Sequence, residues 1–396
     1  MSNKLSEKSL RLHKLYKGKI EVNTKVPLTN AEALSWAYSP GVAAPCKAIE
    51  QTPSAIYEYT TKGNMVAVVT DGSAVLGLGN IGPAAALPVM EGKAALFKSF
   101  AGVDAFPICL DTQDTDAFIE AVRLMAPSFG GINLEDIAAP KCVEIENRLK
   151  NLLDIPVFHD DQHGTAIVTL AALLNSCKLT GKRMDTLNVV LSGTGAAGAS
   201  IARILKAAGV ASIVAYNKDG VVDEKKIDQY DDVVKSLLND HILDSPKNAS
   251  SVTFESLFEN KDVFIGVSVG NIVNETMIRK MNKDPFVFAM ANPDPEIDPD
   301  KALSGGARVV GTGRSDHPNQ INNVLAFPGI FKGALSAKAG NITENMKIAA
   351  AHAIANVLKD DEISETSIIP SPFDSRVAPA VADSVQQQAK DDANEI

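Results

Sequence analysis

Leu187-Asn188-Val189-Val190-Leu191-Ser192-Gly193-Thr194-Gly195-Ala196-Ala197-Gly198-Ala199-Ser200 decides the fold of this chain. Leu187–Leu191 reads as a buried strand, and a G-x-G-x-x-G segment follows at once over Gly193, Gly195 and Gly198. A strand-to-helix turn without Cβ atoms lets backbone N–H groups and a helix N-terminus approach a pyrophosphate. Small Ala199 and Ser200 allow the next helix, expected over Gly195–Ala208, to pack closely on a sheet. A second strand over Ser212–Ala215 then leads into Tyr216-Asn217. This β-α-β unit predicts a dinucleotide site on Gly193, Thr194, Gly195, Ala196, Ala197 and Gly198. Asn217 stands where an acid usually binds the ribose 2′-hydroxyl. Asparagine cannot repel a 2′-phosphate and Lys218 can pair with one, so NAD and NADP both stay open.

Working outward, β-branched runs alternate with Ala/Leu-rich helical stretches, the pattern of an α/β protein with a mostly parallel sheet. Further strands are expected at Val263–Val267, Val287–Met290 and Val309–Gly311, enough for a doubly wound, Rossmann-like C-terminal domain. Upstream, Met65–Thr70, Ala105–Leu110 and Ile155–His159 predict an N-terminal α/β catalytic domain. The boundary falls near Pro156–Gly164, giving residues 1–160 and 161–396, the latter with C-terminal helices such as Thr343–Leu358. A helix beginning near His163 places Ile167, Leu170, Ala171 and Leu174 on one face, with Gly181 at its end. Thr29-Asn30-Ala31-Glu32 fits a capping box for a short helix that stops by Tyr38-Ser39-Pro40, and Gln386–Ile396 reads as a frayed polar tail.

At 396 residues, with 45% hydrophobic and 22% charged residues, the chain has room for two cores. A formal net charge of −10 argues against nucleic acid or an anionic membrane as partner. No apolar run approaches the ~20 residues that span a bilayer. Met1–Lys19 is no secretory signal, and Cys46, Cys109, Cys142 and Cys177 form no CxxC pair. A cytoplasmic protein with structural thiols is expected.

A second G-x-G-x-x-G, Gly77-Leu78-Gly79-Asn80-Ile81-Gly82, also follows a strand. Pro83 and Pro88 come directly after it and are expected to break the first turns of a helix, so a pocket-shaping loop is the better reading. Two acid pairs, Glu135-Asp136 after the short strand preceding them and Asp160-Asp161 after Ile155–His159, sit at the carboxyl ends of strands. Open α/β sheets hold ligands there, and converging carboxylates suit Mg2+ or Mn2+. Helix capping by these aspartates is the plainer alternative. His159 and His163 lie four apart, but one closes a strand, so packing is favoured over zinc.

Taken together the segments resemble the malic enzymes, in particular the short bacterial type, from Leu10 to about Val381. The resemblance rests on Trp36–Ala43, on Val69–Gly72 running into Leu76–Gly82, and on Pro88–Lys93. It continues through Asn133–Ile137, Phe158–Ala166, Ala289–Pro293 and Asn319–Asn323. It implies oxidative decarboxylation of L-malate to pyruvate and CO2, with Tyr38 as general acid, Lys93 as general base and Asp160 supporting the lysine. Glu135, Asp136 and Asp161 match the metal carboxylates, and Asn292, Asn322 and Asn323 match asparagines that hold malate near the nicotinamide. Longer relatives bind the substrate carboxylate with an arginine where this chain has Ala74. A homodimer or larger homo-oligomer is implied as well.

The chemistry asks for these residue types. Malate's hydroxyl must lose a proton to a neutral base as the hydride leaves C2, and the enolate of pyruvate must gain one at C3. The alternative is an oxaloacetate decarboxylase on the same frame without net redox chemistry. The intact Gly193–Gly198 loop counts against it. A plain malate dehydrogenase would not need three metal carboxylates, and a non-catalytic scaffold should have lost Lys93 or an acid pair.

Overall fold

The computed structural model describes residues 3–75, 77–247 and 249–394. Leu76, in one of the segments quoted above, and the last residues of the expected tail, Glu395 and Ile396, lie outside the described residues. The first sheet contains β1 (Met65–Thr70), β2 (Asp104–Cys109), β3 (Gly131–Leu134) and β4 (Val157–His159). Its order is β2-β1-β3-β4, and every pairing is parallel. β1 is buried from its second residue onward because both faces of the sheet are covered, which is why Val-Ala-Val-Val reads as a continuous run.

The second sheet contains β5 (Asn188–Ser192), β6 (Ser212–Asn217), β7 (Gly220–Val221), β8 (Val263–Gly266), β9 (Phe286–Ala289) and β10 (Val309–Thr312). The order is β10-β9-β8-β5-β6-β7, parallel except for the short β7, which the sequence did not suggest. The chain runs from β5 outward to β6 and then returns to the other side of β5 as β8. The order reverses there, and ligands of doubly wound sheets bind in that crevice.

One apolar core joins the sheets: Val66, Val68 and Phe158 belong to the same cluster as Val189, Leu191 and Ile265. The Asp160–Thr180 helix runs through it, buried continuously from Ala166 to Leu173 rather than on one stripe. The late Phe327–Ala337 helix packs on the first sheet. Phe97 meets Phe327 and Phe331 edge-on at 4.7 and 5.4 Å, and Phe158 meets Phe331 at 5.9 Å.

Four local expectations are corrected. Pro83 and Pro88 do not break the helix after the first glycine loop, which runs from Pro83 to Ala101. Pro83 occupies the first turn, where an N–H is unpaired anyway, and Pro88 forfeits one bond in a helix otherwise held by burial of Ala86, Met90, Ala94 and Phe97. The Ala31–Ala37 helix is capped by Asn30, whose side chain accepts from the Ala33 N–H, not by Thr29. The central helix starts at Asp160, three residues before His163. The stretch after Gln386 is not frayed: the Val377–Asn394 helix continues through it. Thr343 and Asn345 bond Asp392 and hold that end down.

The N-terminal segment differs from the rest. No residue from 4 to 65 is fully buried, yet Leu10, Leu15, Tyr16, Val22, Trp36 and Tyr38 are all more than half exposed. Among the described residues no helix is long and apolar enough to cross a membrane. The four cysteines are unpaired.

Candidate active site

Parallel register gathers the acids. Val69 pairs with Leu134 and Leu134 with His159, so the residues after these strands, Glu135-Asp136 and Asp160-Asp161, leave the same edge side by side. Glu135 continues the ladder by donating its N–H to the Val69 carbonyl at 3.0 Å. Asp136 then turns out in the left-handed region (φ 53°), a conformation aspartate tolerates better than most residues. Its N–H donates to Asp161 Oδ2 at 2.9 Å, drawing the two acid pairs together. Asp160 and Asp161 lie in the first turn of their helix, where its dipole favours negative charge; neither is the cap, a position held by His159 without a side-chain bond.

Ligand atoms of Glu135, Asp136 and Asp161 come within 4.8 Å of one another, the spacing of a metal site. Neither His159 nor His163 belongs to that group. His163 instead shares a hydrogen bond with Glu146 at 2.8 Å and lies 3.1 Å from Lys347 Nζ. Glu146 also receives the His159 N–H at 3.0 Å and pairs with Lys150 at 2.9 Å, so it braces the strand end that carries Asp160. Burial alone would raise the Glu146 carboxyl, but His163, Lys150 and Lys347 hold it well below the usual range.

Lys93, on the Pro83–Ala101 helix, is 7% exposed. Its Nζ lies 2.6 Å from Asp160 Oδ2, 2.8 Å from Glu135 Oε1 and 4.2 Å from the Phe327 ring centre. Burial pulls the ammonium down, but Asp160, Glu135 and Asp161 outweigh it and hold the lysine above its ordinary value. Burial likewise pushes Asp160 up to about 6, and it pushes Glu135 well above the usual carboxylate range. Glu135, Asp160 and Asp161 all act on Lys93, and three carboxylates exceed its one positive charge. A divalent cation fits this donor set by charge as well as by its hard oxygen ligands.

Residues without a role in the sequence reading shape this site. Asn133 donates to Glu135 Oε2 at 2.9 Å. A Cβ at Gly164 would collide with Asp160 Oδ1 and come within 3.0 Å of the Asn323 Cβ, so glycine there lets the carboxylate fold back over its own helix. Asp71 pairs with Lys141 and accepts the Ser73 hydroxyl at 2.5 Å, while Ser73 accepts the Ala138 N–H at 2.9 Å. Those bonds tie the loop after β1 to the loop after β3. The Asp71–Lys141 pair joins distant segments, and no spacing rule links positions 70 apart.

The remaining candidates fall on two sides. Asn323 lies against Gly164, whereas Asn322 caps the next turn by accepting the Val324 N–H at 2.9 Å. Asn292 reaches loops that follow both sheets: its backbone carbonyl oxygen lies 3.4 Å from where a Gly77 Cβ would be, and its side-chain amide nitrogen 3.2 Å from that point at Gly313. Tyr38 is 69% exposed, and among the described residues its hydroxyl bonds to none of the acids or Lys93. The structure does not bring it to the cluster. Ala74 uses its N–H on the Asp136 carbonyl and offers no charge for a substrate carboxylate.

At the second sheet, Gly193 takes a left-handed φ of 99°, and a Cβ at Gly198 would collide with the Gly193 carbonyl. Gly195 precedes the Ala196–Ala207 helix without a side-chain cap, which leaves first-turn N–H groups for a ligand. Asn217 ends β6 and donates to the Thr194 hydroxyl at 3.0 Å, beside exposed Lys218. The glycines and the uncapped helix fit a dinucleotide pyrophosphate.

Comparison with known proteins agrees with this geometry. The family model for the malic enzyme N-terminal domain matches residues 17–150, and that for the malic enzyme NAD-binding domain matches residues 162–390. A bifunctional malic/malolactic enzyme of Bacillus subtilis is 56% identical over 97% of this chain and 93% of its own length. An NAD-dependent malic enzyme of Geobacillus stearothermophilus is 55% identical over 94% and 77%, respectively. The crystal structure of a Pyrococcus horikoshii malic enzyme superposes with a TM-score of 0.92 at 48% identity, covering 98% of this chain and 91% of that one.

Proposed function

The chain belongs to the malic enzyme family, and on that premise we propose that it converts L-malate to pyruvate and CO2 with reduction of NAD or NADP at a Mg2+ or Mn2+ site. The observation that carries this reading is the buried contact of Lys93 with Asp160 and Glu135 at the edge of a three-carboxylate cluster. Glu135, Asp136 and Asp161 would hold the cation, and the backbone of Gly193–Gly198 the dinucleotide, with Asn217 beside the ribose. When bound, these groups take the hydride from C2 and draw electrons toward the C2 oxygen, lowering the lysine's proton affinity as the carboxylate charge is neutralised.

The side chains supply the proton traffic. Lys93 Nζ takes the C2 hydroxyl proton as oxaloacetate forms, and Asp160 fixes the direction of that amine. The C3–C4 bond then breaks, CO2 leaves, and the electron pair passes into the enolate of pyruvate. Asn292 and Asn323 orient the substrate from the two sides of the cleft, with Asn322 fixing the turn beside them. Tyr38 is assigned the protonation of C3. A single chain leaves it on the surface beside the exposed apolar side chains of the N-terminal segment. The reading therefore includes a homodimer in which a second copy covers that surface, and light scattering that finds monomers at micromolar concentration would count against it.

The direct test follows pyruvate and reduced dinucleotide together from L-malate with Mn2+ and either NAD or NADP. Equal amounts of both products are expected. Pyruvate from added oxaloacetate, with neither product from malate, would replace this reading by a decarboxylase.

A further inference from the structure

We infer that Glu296 is a positioning residue that clamps the two loops at the topological switch point, fixing the Gly193 turn and the Asn292 peptide relative to each other. The inference rests on the reading that Gly193–Gly198 takes the dinucleotide.

Glu296 is fully buried, and among the described residues no lysine, arginine or histidine pairs with it. Its carboxylate stands at the ends of β8 and β9. Oε1 accepts the Ser268 N–H at 2.7 Å and the Ser268 hydroxyl at 3.1 Å, while Oε2 accepts the Ala291 N–H at 3.1 Å. One side chain thus holds the loop after β8 with one oxygen and the loop after β9 with the other. Backbone bonds extend the seam: Asn271 donates to the Pro295 carbonyl and Val273 to the Glu296 carbonyl, both at 2.9 Å.

The seam reaches both ligand regions. The Ser268 hydroxyl lies 2.9 Å from that of Ser192, the residue before Gly193. A Cβ at Gly193 would stand 2.7 Å from the Val267 carbonyl oxygen, so the two loops touch where the first glycine turns. On the other side, Ala291 precedes Asn292 directly. A Cβ at Gly266 would collide with the Glu296 carboxyl, so glycine on β8 makes the space for the clamp.

A carboxylate is suited to this place because both of its oxygens accept. Glutamine presents an amide NH2 to one backbone N–H and can hold only one loop. An apolar residue would leave both donors buried without partners. Burial opposes the charge, and the donors from Ser268 and Ala291 work against that penalty.

The test titrates NADH and NADPH against the full-length protein by their fluorescence, without malate or metal, and measures Mn2+ binding separately. Glu296→Gln is expected to weaken the preferred dinucleotide about tenfold, the scale of one buried donor losing its acceptor. Gly266→Ala keeps the carboxylate but displaces it, and should match that loss. Ser268→Ala, which removes only the hydroxyl link to Ser192, should lose about threefold. Mn2+ affinity should stay unchanged in all three. Wild-type dinucleotide affinity in folded Glu296→Gln and Gly266→Ala proteins would overturn the inference, as would an equal fall in Mn2+ affinity, which marks general structural support. Should Glu296→Gln fail to fold, Ser268→Ala decides, a threefold loss supporting the clamp and unchanged binding overturning it. A wild-type protein that binds neither NADH nor NADPH would instead remove the dinucleotide reading beneath it.

Discussion

The two G-x-G-x-x-G segments share a pattern and build opposite things. Gly193–Gly198 begins one residue after β5, and its third glycine already lies inside the Ala196–Ala207 helix. The turn closes on itself, leaving no room for a Cβ at Gly198. Gly77–Gly82 begins seven residues after β1 ends at Thr70, and its third glycine caps the Pro83–Ala101 helix instead of entering it. Gly77, Gly79 and Gly82 all take left-handed φ values between 74° and 81°, and a Cβ on Gly79 or Gly82 would meet nothing within 4 Å. The first loop is open and aims a helix carrying Lys93; the second is tight and offers backbone. A glycine pattern reports permitted dihedrals, and its distance from the strand end decides what those dihedrals make.

The proposed division can be broken most forcefully at the chemistry. Lys93→Ala should lower kcat for malate on the order of 10³-fold while NADH binding, by fluorescence titration, stays within about twofold. Loss of both together would show that the loops are not separate in function. The reverse experiment is Gly198→Val, which forces side-chain atoms into the Gly193 carbonyl. Dinucleotide affinity should fall on the order of 100-fold, with Mn2+-dependent decarboxylation of oxaloacetate reduced far less.

Glu146 probes what supports the acid side without touching either loop. Glu146→Gln should destabilise the fold by about 3 kcal/mol in a urea titration, since it uncouples a buried carboxylate from Lys150 and His163. The pH dependence has a definite sign. The folded carboxyl is held low, so its contribution is complete above the unfolded value of about 4.3 and is lost as pH falls below it. The acid-side loss of stability should therefore shrink in the variant. Gly82→Ala is expected to do least to activity, costing about 2 kcal/mol of backbone strain because φ 81° with ψ 166° is a region that alanine avoids, while the space beside it is open. A large loss of activity there would mean that the first loop contacts ligand through Gly82 itself.

Much of this arrangement is readable along the chain. Eight of the strands announce themselves as β-branched runs, and the acid pairs fall at strand ends because polar residues follow buried ones there. Sequence alone misjudges the Pro83–Ala101 helix because proline is weighed locally, whereas burial of Met90, Ala94 and Phe97 is a tertiary gain. Gly164 and Asn133 lay inside quoted motifs yet carried no signal of what each does for a neighbouring acid. Glu296 gave none, since its partners Ser268 and Ala291 meet it only across two loops.

Consecutive residues carry the α/β class, the glycine turn after β5 and the family motifs, because strand runs, glycine spacing and long ordered motifs are local properties. Packing in three dimensions makes Lys93 a buried partner of Asp160 and Glu135 and leaves Tyr38 exposed. It alone carried a C-terminal helix onto the N-terminal sheet. Charge burial and side-chain contact depend on which strands lie side by side. That choice is made by the parallel register of β1, β3 and β4, through contacts between residues far apart in the chain.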